Sequence, residues 1–591
     1  MYKKNIVDFK IKKSFRDLKK TNSLIDNLAN KLVINRNHYL LTLSKFYLND
    51  EKLIEQLTYY RNKYKKFYPT QFKATFLSTK EWIKKLLVTD NRIMFLLINK
   101  NNEISGIIGL SKPQKNYDVL EIDNVIRFKN CKEIDIFSQT LKELIRFIKN
   151  TLFIDSIQLK VMSNNERAIK FYKKNNFSKT YKIPLTKKKF KNKLIYIEEP
   201  NVDLSKKINN NFFFLMTYKE KKINNPKKLI LTGGPSISYL EISNANRAIS
   251  NGWNFNHSEF LNKLETNFSS YLGSQFSIAT SSCTGAIHIG LLALGVKKGD
   301  EVIVPDFSWV ATARAVQMAG AEPIFCDVEK ETWNMCPKSL SSLINKRTKV
   351  VIPVHMYGEP AKMEVIKNIC DKNNIKIIED AAPAIGAIRN KKKCGTFGDF
   401  SAFSFQGAKL LVAGEGGLLT TKNQYLYKKA KKISEFGRNQ KKTFWIDEPG
   451  LKYKMSNIQA AVAVAQLSRV DEFINKKRTI FEWYKKRLSN LSEQISMHSE
   501  SKNSFSTYWM SSALLGDKID RNKFIIELRK YNIDSRPTFP KISEYPIWGK
   551  IIKNNNFNAS LIGSKGINLP SGLTLNENQV DYICEKIKKI I

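Results

Sequence analysis

MEVIKNICDKNNIKIIEDA, residues 363 to 381, joins a helical pattern directly to an apolar strand pattern. Apolar residues recur at helical spacing in its first half, and IKIIEDA then forms a short apolar run. The same alternation of β-rich runs and helical segments continues through the chain from about residue 229. Such alternation builds a parallel sheet with helices on both faces, and ligands then bind at the carboxyl ends of the strands. The C-terminal part of the chain is therefore predicted to have an α/β fold.

The N-terminal part has a different pattern. Strand-like runs at 92–100, 104–110 and 119–128 follow one another, with helical patterns before and after them. This order predicts a mixed sheet, and the lysine- and asparagine-rich stretch 187–210 is interpreted as an exposed insertion. The predicted segments are an N-terminal extension at 1–34, a first domain at 35–219, a linker at 220–228 and a second domain at 229–591.

The composition excludes several classes of protein. With 42% hydrophobic residues in 591, the chain has ample material for buried cores. The 99 Lys and Arg residues exceed the 54 Asp and Glu residues by 45, but the lysines are spread through every segment. We therefore expect no nucleic-acid partner and no membrane partner. Seven cysteines without paired short spacing argue against a disulfide framework and a metal site. The N-terminus has no signal-peptide pattern, so we expect a cytoplasmic protein.

Two residues that follow strand patterns suggest a cofactor. Asp380 ends a strand that should be buried on both faces, where a carboxylate is costly unless it is paired. A protonated pyridinium nitrogen would be such a partner. Lys409 lies in SFQGAKLLVAGEGG, residues 404–417, whose glycines allow a close approach of the backbone to a ligand. An ordinary solvated lysine is the alternative.

Two further patterns extend this interpretation. In TSSCTGA the N–H groups of Thr284, Gly285 and Ala286 open a helix after a strand, which makes them a candidate phosphate site. An ordinary helix cap is the alternative. Trp309 follows the next strand, where it could cover a planar cofactor or simply pack. Acid, lysine, phosphate cradle and stacking ring together are the set of groups that pyridoxal phosphate chemistry requires.

These motifs carry a family resemblance. The segments YLGSQFSIATSSCTGAIHIGLLALG, VIPVHMYGEPAKM, IIEDAAPAIGA, FSFQGAKLLVAGEGGLLTT and YKMSNIQAAVAVAQLSRVDEF resemble, in this order, the DegT/DnrJ/EryC1/StrS family of nucleotide-sugar aminotransferases. The resemblance covers about 360 residues, from LTGGPSISYL to DYICEKI. It implies a fold-type I pyridoxal-phosphate enzyme with a large, parallel-rich sheet domain and a smaller C-terminal α+β subdomain.

The resemblance also implies a role for each motif residue. Lys409 would carry the cofactor covalently and Asp380 would keep its ring nitrogen protonated, while Trp309 would stack on the ring. The residues implied to hold the phosphate are Thr284, Gly285 and Ser404. Family members supply a further phosphate contact from the neighbouring subunit, which implies a homodimer with shared active sites.

Two positions depart from the family pattern, and a third bears on the substrate. Lys452, in GLKYKM, stands where asparagine is usual at the phosphate contact between subunits. Pro383 stands where the family often has a side chain that bonds the cofactor's phenolic oxygen. Arg536 is a candidate anion contact for a diphosphate or a carboxylate, with surface pairing as the alternative. The implied reaction is transfer of an amino group from glutamate to a nucleotide-linked keto-deoxysugar for a surface glycan.

The N-terminal domain has its own resemblance. VMSNNERAIKFYKKNNF, residues 161–177, is similar to the strand and helix signature of GCN5-related N-acetyltransferases. By that match Asn165 lies near the pantetheine arm of acetyl-CoA, and Tyr172 is the candidate general acid. Glu121 and Asp123 could act as a base through water, or could simply be solvated. The expected pyrophosphate loop near residues 128–140 contains no glycine.

Together the two domains predict a sequential pair of reactions, transamination of the sugar and then N-acetylation of the new amine. Two alternative functions are also compatible with the sequence. The N-terminal domain could be a binding module without catalytic activity, or the whole chain could be a pyridoxal-phosphate-binding regulator without turnover.

Overall fold

The computed structural model describes residues 11–12, 14–19, 31–113, 119–131, 133–190, 193–199, 212–220, 226–439, 441–549 and 554–591. The chain forms two compact units, Met1–Lys222 and Ile223–Ile591. Within the described ranges, no helix has both the length and the apolar character needed to cross a membrane.

In addition to helical residues at 11–12 and 14–19, the described part of the N-terminal unit contains one ten-stranded sheet and four further α-helices. The strands are β1 (Leu32–Asn35), β2 (His38–Thr42), β3 (Thr70–Gln71), β4 (Arg92–Asn99), β5 (Ile104–Ser111), β6 (Val119–Arg127), β7 (Ser156–Met162), β8 (Phe177–Phe190), β9 (Lys193–Glu198) and β10 (Phe212–Tyr218). The helices are α1 (Glu51–Lys63), α2 (Phe76–Val88), α3 (Ile136–Thr151) and α4 (Glu166–Lys174). The sheet order is β1-β2-β4-β5-β6-β7-β10-β8-β9-β3.

The first part of the stretch 187–210 is a β-hairpin. Strand β8 continues to Phe190, and β9 pairs back on it from Lys193 to Glu198. Residues 187–190 are exposed, as expected for this stretch, and its being an insertion stays a prediction. Residues 191–192 and 200–210 of the same stretch lie outside the described residues.

Strands β6 and β7 form the parallel pair of this sheet, and their pairing is short. It joins Val119–Glu121 to Ser156–Gln158, after which β7 continues to pair with β10 on its other side. Just beyond the paired residues, β6 has a bulge in which Asn124 adopts a left-handed φ of 47°. The bulge redirects β6 just after its pairing with β7 stops at Glu121.

The C-terminal unit is built on a seven-stranded sheet. Its strands are β11 (Phe276–Thr280), β12 (Glu301–Pro305), β13 (Glu322–Cys326), β14 (Thr348–Val351), β15 (Lys376–Asp380), β18 (Phe400–Ser404) and β19 (Gly417–Thr421). The order is β11-β19-β18-β15-β14-β12-β13, with β19 antiparallel to its neighbours. Nine of the helices of this unit are α5 (Tyr239–Asn251), α6 (Glu259–Leu272), α7 (Cys283–Ala293), α8 (Ala311–Met318), α9 (Pro337–Leu343), α10 (Met363–Lys372), α11 (Gln424–Ser434), α12 (Asn457–Leu467) and α13 (Val470–Leu488).

Two smaller sheets and three helices complete the described part of this unit. A three-stranded sheet contains β16 (Ile388–Arg389), β17 (Lys392–Lys393) and β21 (Ser504–Phe505). A four-stranded antiparallel sheet contains β20 (Ile495–Met497), β22 (Ser511–Leu515), β23 (Arg536–Pro537) and β24 (Gly566–Leu569). The remaining helices are α14 (Arg521–Lys530), α15 (Phe557–Lys565) and α16 (Glu577–Ile590). The predicted α/β fold with a smaller α+β subdomain is thereby confirmed.

The strand directions bring distant parts of the sequence to one edge of the large sheet. Strands β11, β12, β15 and β18 all end at this edge, and β19 begins there. Asp306, which follows β12, accepts hydrogen bonds from Ser543 N at 2.7 Å, Ser543 Oγ at 2.8 Å and Asn556 Nδ2 at 2.7 Å. Hydrogen bonds to a buried carboxylate are stronger than those between neutral groups. The Asp306 carboxylate therefore holds the segment around Ser543 beside this edge.

Candidate active site at the sheet edge

Asp380 is the last residue of β15 and is 6% exposed. Its Oδ2 accepts a hydrogen bond from the Thr312 hydroxyl at 2.7 Å, and its Oδ1 accepts one from Ala382 N at 3.1 Å. The Cys283 thiol lies 3.9 Å from Oδ1. In the described part of the chain, Asp380 makes no ion pair, so its carboxylate is oriented by neutral donors. A buried carboxylate whose hydrogen-bond donors are neutral fits a cationic ring nitrogen, and the Lys409 ammonium is another cation near it.

Lys409 lies in the loop that follows β18. The loop is closed on itself by Gly407 N, which donates to Gly414 O at 2.9 Å, and by Ala413 N, which donates to Phe405 O at 2.7 Å. Burial lowers the pKa of the Lys409 ammonium, while the nearby Asp380 carboxylate raises it in part. The lowered pKa increases the fraction of neutral amine, which is the form that can attack an aldehyde or accept a proton.

The glycines after Lys409 have separate structural reasons. Gly416 has a φ of 143°, and a side chain there would also meet Met455. A Cβ at Gly417 would lie 2.5 Å from the carbonyl carbon of Ser282. The first residue of β19 therefore packs directly on the start of α7, and only glycine permits this approach.

The start of α7 differs in detail from the predicted phosphate cradle. Ser282 is the N-cap, and its Oγ accepts a hydrogen bond from Gly285 N at 3.1 Å. Ala286 N donates to Ser282 O at 3.0 Å. The N–H groups of Gly285 and Ala286 are therefore not free, because Ser282 caps the helix and accepts a hydrogen bond from each of them, which is the helix cap named as the alternative. A phosphate contact by Gly285 stays a prediction that requires the phosphate to replace the serine oxygen.

Ser404 is the last residue of β18 and is 4% exposed. Its Oγ accepts a hydrogen bond from Gln406 N at 3.3 Å, which leaves the hydroxyl proton available to a phosphate oxygen. In the sheet order, β18 lies beside β15, so Ser404 and Asp380 end neighbouring strands.

A row of aromatic rings connects Lys409 to Trp309. The Lys409 Nζ lies 3.9 Å from the centre of the Trp509 ring, and that ring lies 5.8 Å from Tyr357. Tyr357 stacks on Phe539 at 5.7 Å, and Phe539 lies 5.5 Å from Trp309. Trp309 is 54% exposed, so its face is available to a ligand. The rings form one wall of the site, which we call the aromatic wall.

Sequence reasoning missed several residues of this site: Cys283, Thr312, Tyr357, Trp509 and Phe539. All of them except Tyr357 lie on segments far in sequence from both Asp380 and Lys409. Thr312 had a usable signal, because it is three residues after Trp309 and thus one helical turn away.

Two predicted positions, Lys452 and Arg536, have no described contact with Lys409, and a third, Pro383, follows Asp380 closely. Lys452 is exposed, with its backbone bridged to Glu435. The Arg536 side chain is 67% exposed, and its Nε lies 3.6 Å from Asp534 Oδ2, which is the surface pairing named as the alternative. Pro383 is buried in the turn after Asp380. The described contacts do not bring Lys452 or Arg536 to Lys409.

In the N-terminal unit, Tyr172 lies on α4 and is 8% exposed. Burial raises the pKa of its phenol, and the Asp123 carboxylate and the Tyr68 hydroxyl raise it further. The phenol therefore stays protonated, as a general acid requires. Asn165 is the N-cap of α4, where its Oδ1 accepts from Ala168 N at 3.2 Å, so its side chain has at least a structural role.

The two carboxylates of β6 have different surroundings. Glu121 accepts a hydrogen bond from Gln158 Nε2 at 2.7 Å. Asp123 pairs with Arg92 at 2.8 Å, and a Cβ at Gly109 would collide with its Oδ1. Glycine on the neighbouring strand therefore makes room for the Asp123 carboxylate, which is the carboxylate that acts on the Tyr172 phenol.

Comparisons with known proteins agree with the motifs of both units. The model of the DegT/DnrJ/EryC1/StrS aminotransferase family matches residues 235–588, and the model of the acetyltransferase (GNAT) family matches residues 57–177. Both resemblances predicted from the sequence are confirmed.

Two curated relatives match the C-terminal part of the chain. GDP-perosamine synthase of Escherichia coli O157:H7 is 37% identical over 355 residues, which are 60% of this chain and 96% of that protein. GDP-perosamine synthase of Vibrio cholerae is 36% identical over 357 residues, with 60% and 97% covered.

Two solved structures have a similar fold. One is 3-amino-5-hydroxybenzoic acid synthase, with a TM-score of 0.58, 24% identity, and coverage of 62% of this chain and 99% of that chain. The other is the PLP form of a candidate sugar aminotransferase from Streptococcus pneumoniae, with a TM-score of 0.58, 25% identity, and coverage of 62% and 98%.

Proposed function

Because the chain belongs to the DegT/DnrJ/EryC1/StrS aminotransferase family, we propose that its C-terminal unit transfers an amino group from glutamate to a keto sugar linked to a nucleoside diphosphate. The cofactor of this reaction is pyridoxal 5′-phosphate. The observation that carries the proposal is the buried Asp380 carboxylate, which is held by neutral donors at the same sheet edge as Lys409.

The residues present fit this cofactor. Asp380 would hold the proton on the ring nitrogen, Lys409 would bind the aldehyde carbon, and Trp309 would cover the ring face. Ser404 and Thr284, at the ends of neighbouring elements, would bind the phosphate. Bound pyridoxal phosphate supplies an electron sink for the negative charge that develops at the α-carbon of the amino donor.

The protein's own groups then move the proton. Burial lowers the pKa of the Lys409 ammonium, so its neutral amine would carry the α-proton of the amino donor to the aldehyde-derived carbon of the cofactor. Thr312 keeps the Asp380 carboxylate in place during this transfer through its 2.7 Å hydrogen bond. The family's usual bond to the phenolic oxygen is not available from Pro383, so a different donor must provide it.

The curated relatives indicate which nucleotide sugar to favour as the substrate. Their names state that they make GDP-perosamine, and this chain covers almost their whole length. We therefore favour a GDP-linked keto sugar as the acceptor and an amino sugar for a surface polysaccharide as the product.

Incubation of the purified protein with glutamate and a panel of nucleotide-linked keto sugars tests this function. We expect an amino sugar by mass spectrometry with a GDP-linked member of the panel, and none with Lys409→Ala. A protein that binds pyridoxal phosphate but neither responds to glutamate nor converts any sugar would instead be a regulator.

A second activity, N-acetylation of the amino sugar, is favoured by the N-terminal unit. The support is the acetyltransferase family match, the short parallel pairing of β6 with β7, and the buried, protonated Tyr172. Titration calorimetry of the full chain with acetyl-CoA, followed by an assay for acetyl transfer to the amino sugar, tests it. Lack of acetyl-CoA binding would favour a binding module without catalytic activity.

A homodimer with shared active sites is supported by exposed aromatic residues near Lys452. Phe444 is 93% exposed and Trp445 is 55% exposed, on the segment that leads to Lys452, and Phe255 is fully exposed. Mixing the inactive Lys409→Ala variant with a Lys452→Ala variant tests the sharing. If Lys452 acts in the partner's site, each mixed dimer will contain one intact site. The activity of the mixture will then exceed the sum of the activities of the two separate variants.

A further inference from the structure

Trp509 contacts the Lys409 loop in two ways. Its indole N–H donates a hydrogen bond to Ala408 O at 2.7 Å, and its ring face lies 3.9 Å from the Lys409 Nζ. The tryptophan is 6% exposed and lies just before β22 in the smaller subdomain. One side chain of the subdomain thus holds both the backbone and the amine of a loop that belongs to the large sheet.

The backbone of Trp509 is hydrogen-bonded to the side chain of Lys477. This lysine lies on α13, is 4% exposed, and donates to Trp509 O at 2.8 Å and to Ser571 O at 2.5 Å. On its other side, the Trp509 ring packs near Tyr357 in the aromatic wall. With its carbonyl, its indole N–H and its ring all in contact, Trp509 has little freedom to move.

We propose that Trp509 is the positioning residue of Lys409: its ring face receives the amine whenever the amine is not bonded to a ligand, and its N–H fixes the loop. The inference rests on the proposed role of Lys409 as the cofactor-binding lysine. A contact that fixes the amine of a flexible side chain favours proton transfer, because each transfer requires the amine at a defined position. The aromatic face also favours the ammonium over the neutral amine.

Two other groups facing Lys409 contribute to its titration. The Asp380 carboxylate and the Cys283 thiol both raise the pKa of the ammonium, while burial lowers it. Replacement of Trp509 by leucine keeps an apolar neighbour and both of these groups, and it removes the attraction of the ring. The Lys409 pKa should then fall by about half to one unit.

The experiment measures Lys409 directly in the full-length protein freed of cofactor. Labelling with a small amine-reactive reagent at a series of pH values, followed by peptide mass spectrometry, gives the apparent pKa of Lys409. Trp509→Leu should lower this pKa by about half to one unit. Trp509→Phe keeps a ring and should hold the pKa near the wild-type value, but it loses the bond to Ala408, so kcat should fall about tenfold with KM for glutamate unchanged.

Trp548→Leu is the matched control. Trp548 is also buried, and its indole N–H donates to a carbonyl, that of Ile542, at 2.7 Å, away from Lys409. An unchanged or raised Lys409 pKa in Trp509→Leu, or an equal shift in Trp548→Leu, would overturn the inference. The proposed function fails by a different result, namely cofactor attachment that persists in Lys409→Ala.

Discussion

Lys409 and Tyr172 are the predicted reactive groups of the two units. Burial and a nearby carboxylate shift the pKa in opposite directions at Lys409 and in the same direction at Tyr172. Lys409 faces an opposite charge, the Asp380 carboxylate, and burial lowers its pKa so that neutral amine is available. Tyr172 faces a carboxylate too, that of Asp123, but here the charge and the burial both raise the pKa. The same kind of neighbour partly offsets the effect of burial at the lysine and adds to it at the tyrosine.

The two sites also differ in how the fold assembles them. Asp380, Ser404 and the Lys409 loop come from the ends of neighbouring parallel strands, so the sheet itself brings them together. Asp123 acts electrostatically on the Tyr172 phenol, and the absence of a side chain at Gly109 on β5 makes room for its carboxylate beside the bulge in β6. The first arrangement depends on the whole fold, and the second depends on two local features.

The largest expected effect is that of Lys409→Ala. Loss of the amine removes both the attachment point and the proton-transfer group, so amino-sugar formation should fall by about 10³-fold or more. Acetyl-CoA binding by the N-terminal unit should not change. The exposed Lys422 offers a matched control, and Lys422→Ala should keep full activity. Transamination at a comparable rate in Lys409→Ala would show that another lysine carries the reaction.

Tyr172→Phe tests the other side of the comparison. If the phenol protonates the leaving thiolate, the rate of acetyl transfer should fall by about 10²-fold, measured by thiol release from acetyl-CoA. The change removes one oxygen from a buried side chain and leaves the ring contacts with Phe171 and Phe177. Tyr181→Phe, on the exposed face of β8, is the control. Equal rates for all three proteins would leave Tyr172 with a packing role.

A smaller effect is expected from Thr312→Val. The substitution keeps the shape of the side chain but removes the hydroxyl that donates to Asp380 Oδ2 at 2.7 Å. The carboxylate would then be oriented less well, and kcat should fall about tenfold, or about 1.4 kcal/mol, with little change in KM. Thr312→Ser retains the donor and should restore most of the rate. A loss that serine does not restore would indicate a packing role for the threonine.

The large sheet and the motif residues on it could be predicted because each is encoded locally. Asp380 ends an apolar run, and Lys409 follows another, so their place at the carboxyl ends of strands follows from the pattern. Trp509 and Phe539 could not be found in this way, because their contacts with the site depend on how the smaller subdomain folds back. A helix cap was the alternative to a phosphate site, but its position at Ser282 could not be specified, because Ser281, Ser282 and Thr284 are all good capping residues and backbone geometry decides among them.

The smallest expected effect is on the pH dependence of the unfolding free energy. It arises from a buried lysine in each unit. Lys19 donates to the carbonyls of Leu86, Thr89 and Arg92, and Lys477 donates to those of Trp509 and Ser571. Burial lowers the pKa of Lys19 to about 8 and that of Lys477 to about 7. Lys19 has Asp90 nearby, which raises its pKa in part, whereas burial alone acts on Lys477.

These pKa values predict how stability depends on pH. Between a lowered folded pKa and the unfolded value, the unfolded chain binds more protons, so the unfolding free energy rises with pH. For Lys477 this rise begins near pH 7 and should amount to about 1 kcal/mol between pH 7 and 8. Urea unfolding followed by tryptophan fluorescence measures it in the C-terminal unit, because Trp82 is the one tryptophan in the N-terminal unit.

Lys477→Met should remove this part of the pH dependence, while Lys485→Met, at an exposed position of the same helix, should retain it. The difference between the two variants isolates the buried lysine from other groups that titrate in the same range. The contribution of Lys19 should begin about one pH unit higher, because its folded pKa is higher and Asp90 stabilises its charge. Equal slopes in Lys477→Met and Lys485→Met would mean that Lys477 keeps its proton in the folded protein, and that its two carbonyl partners suffice to hold the charge.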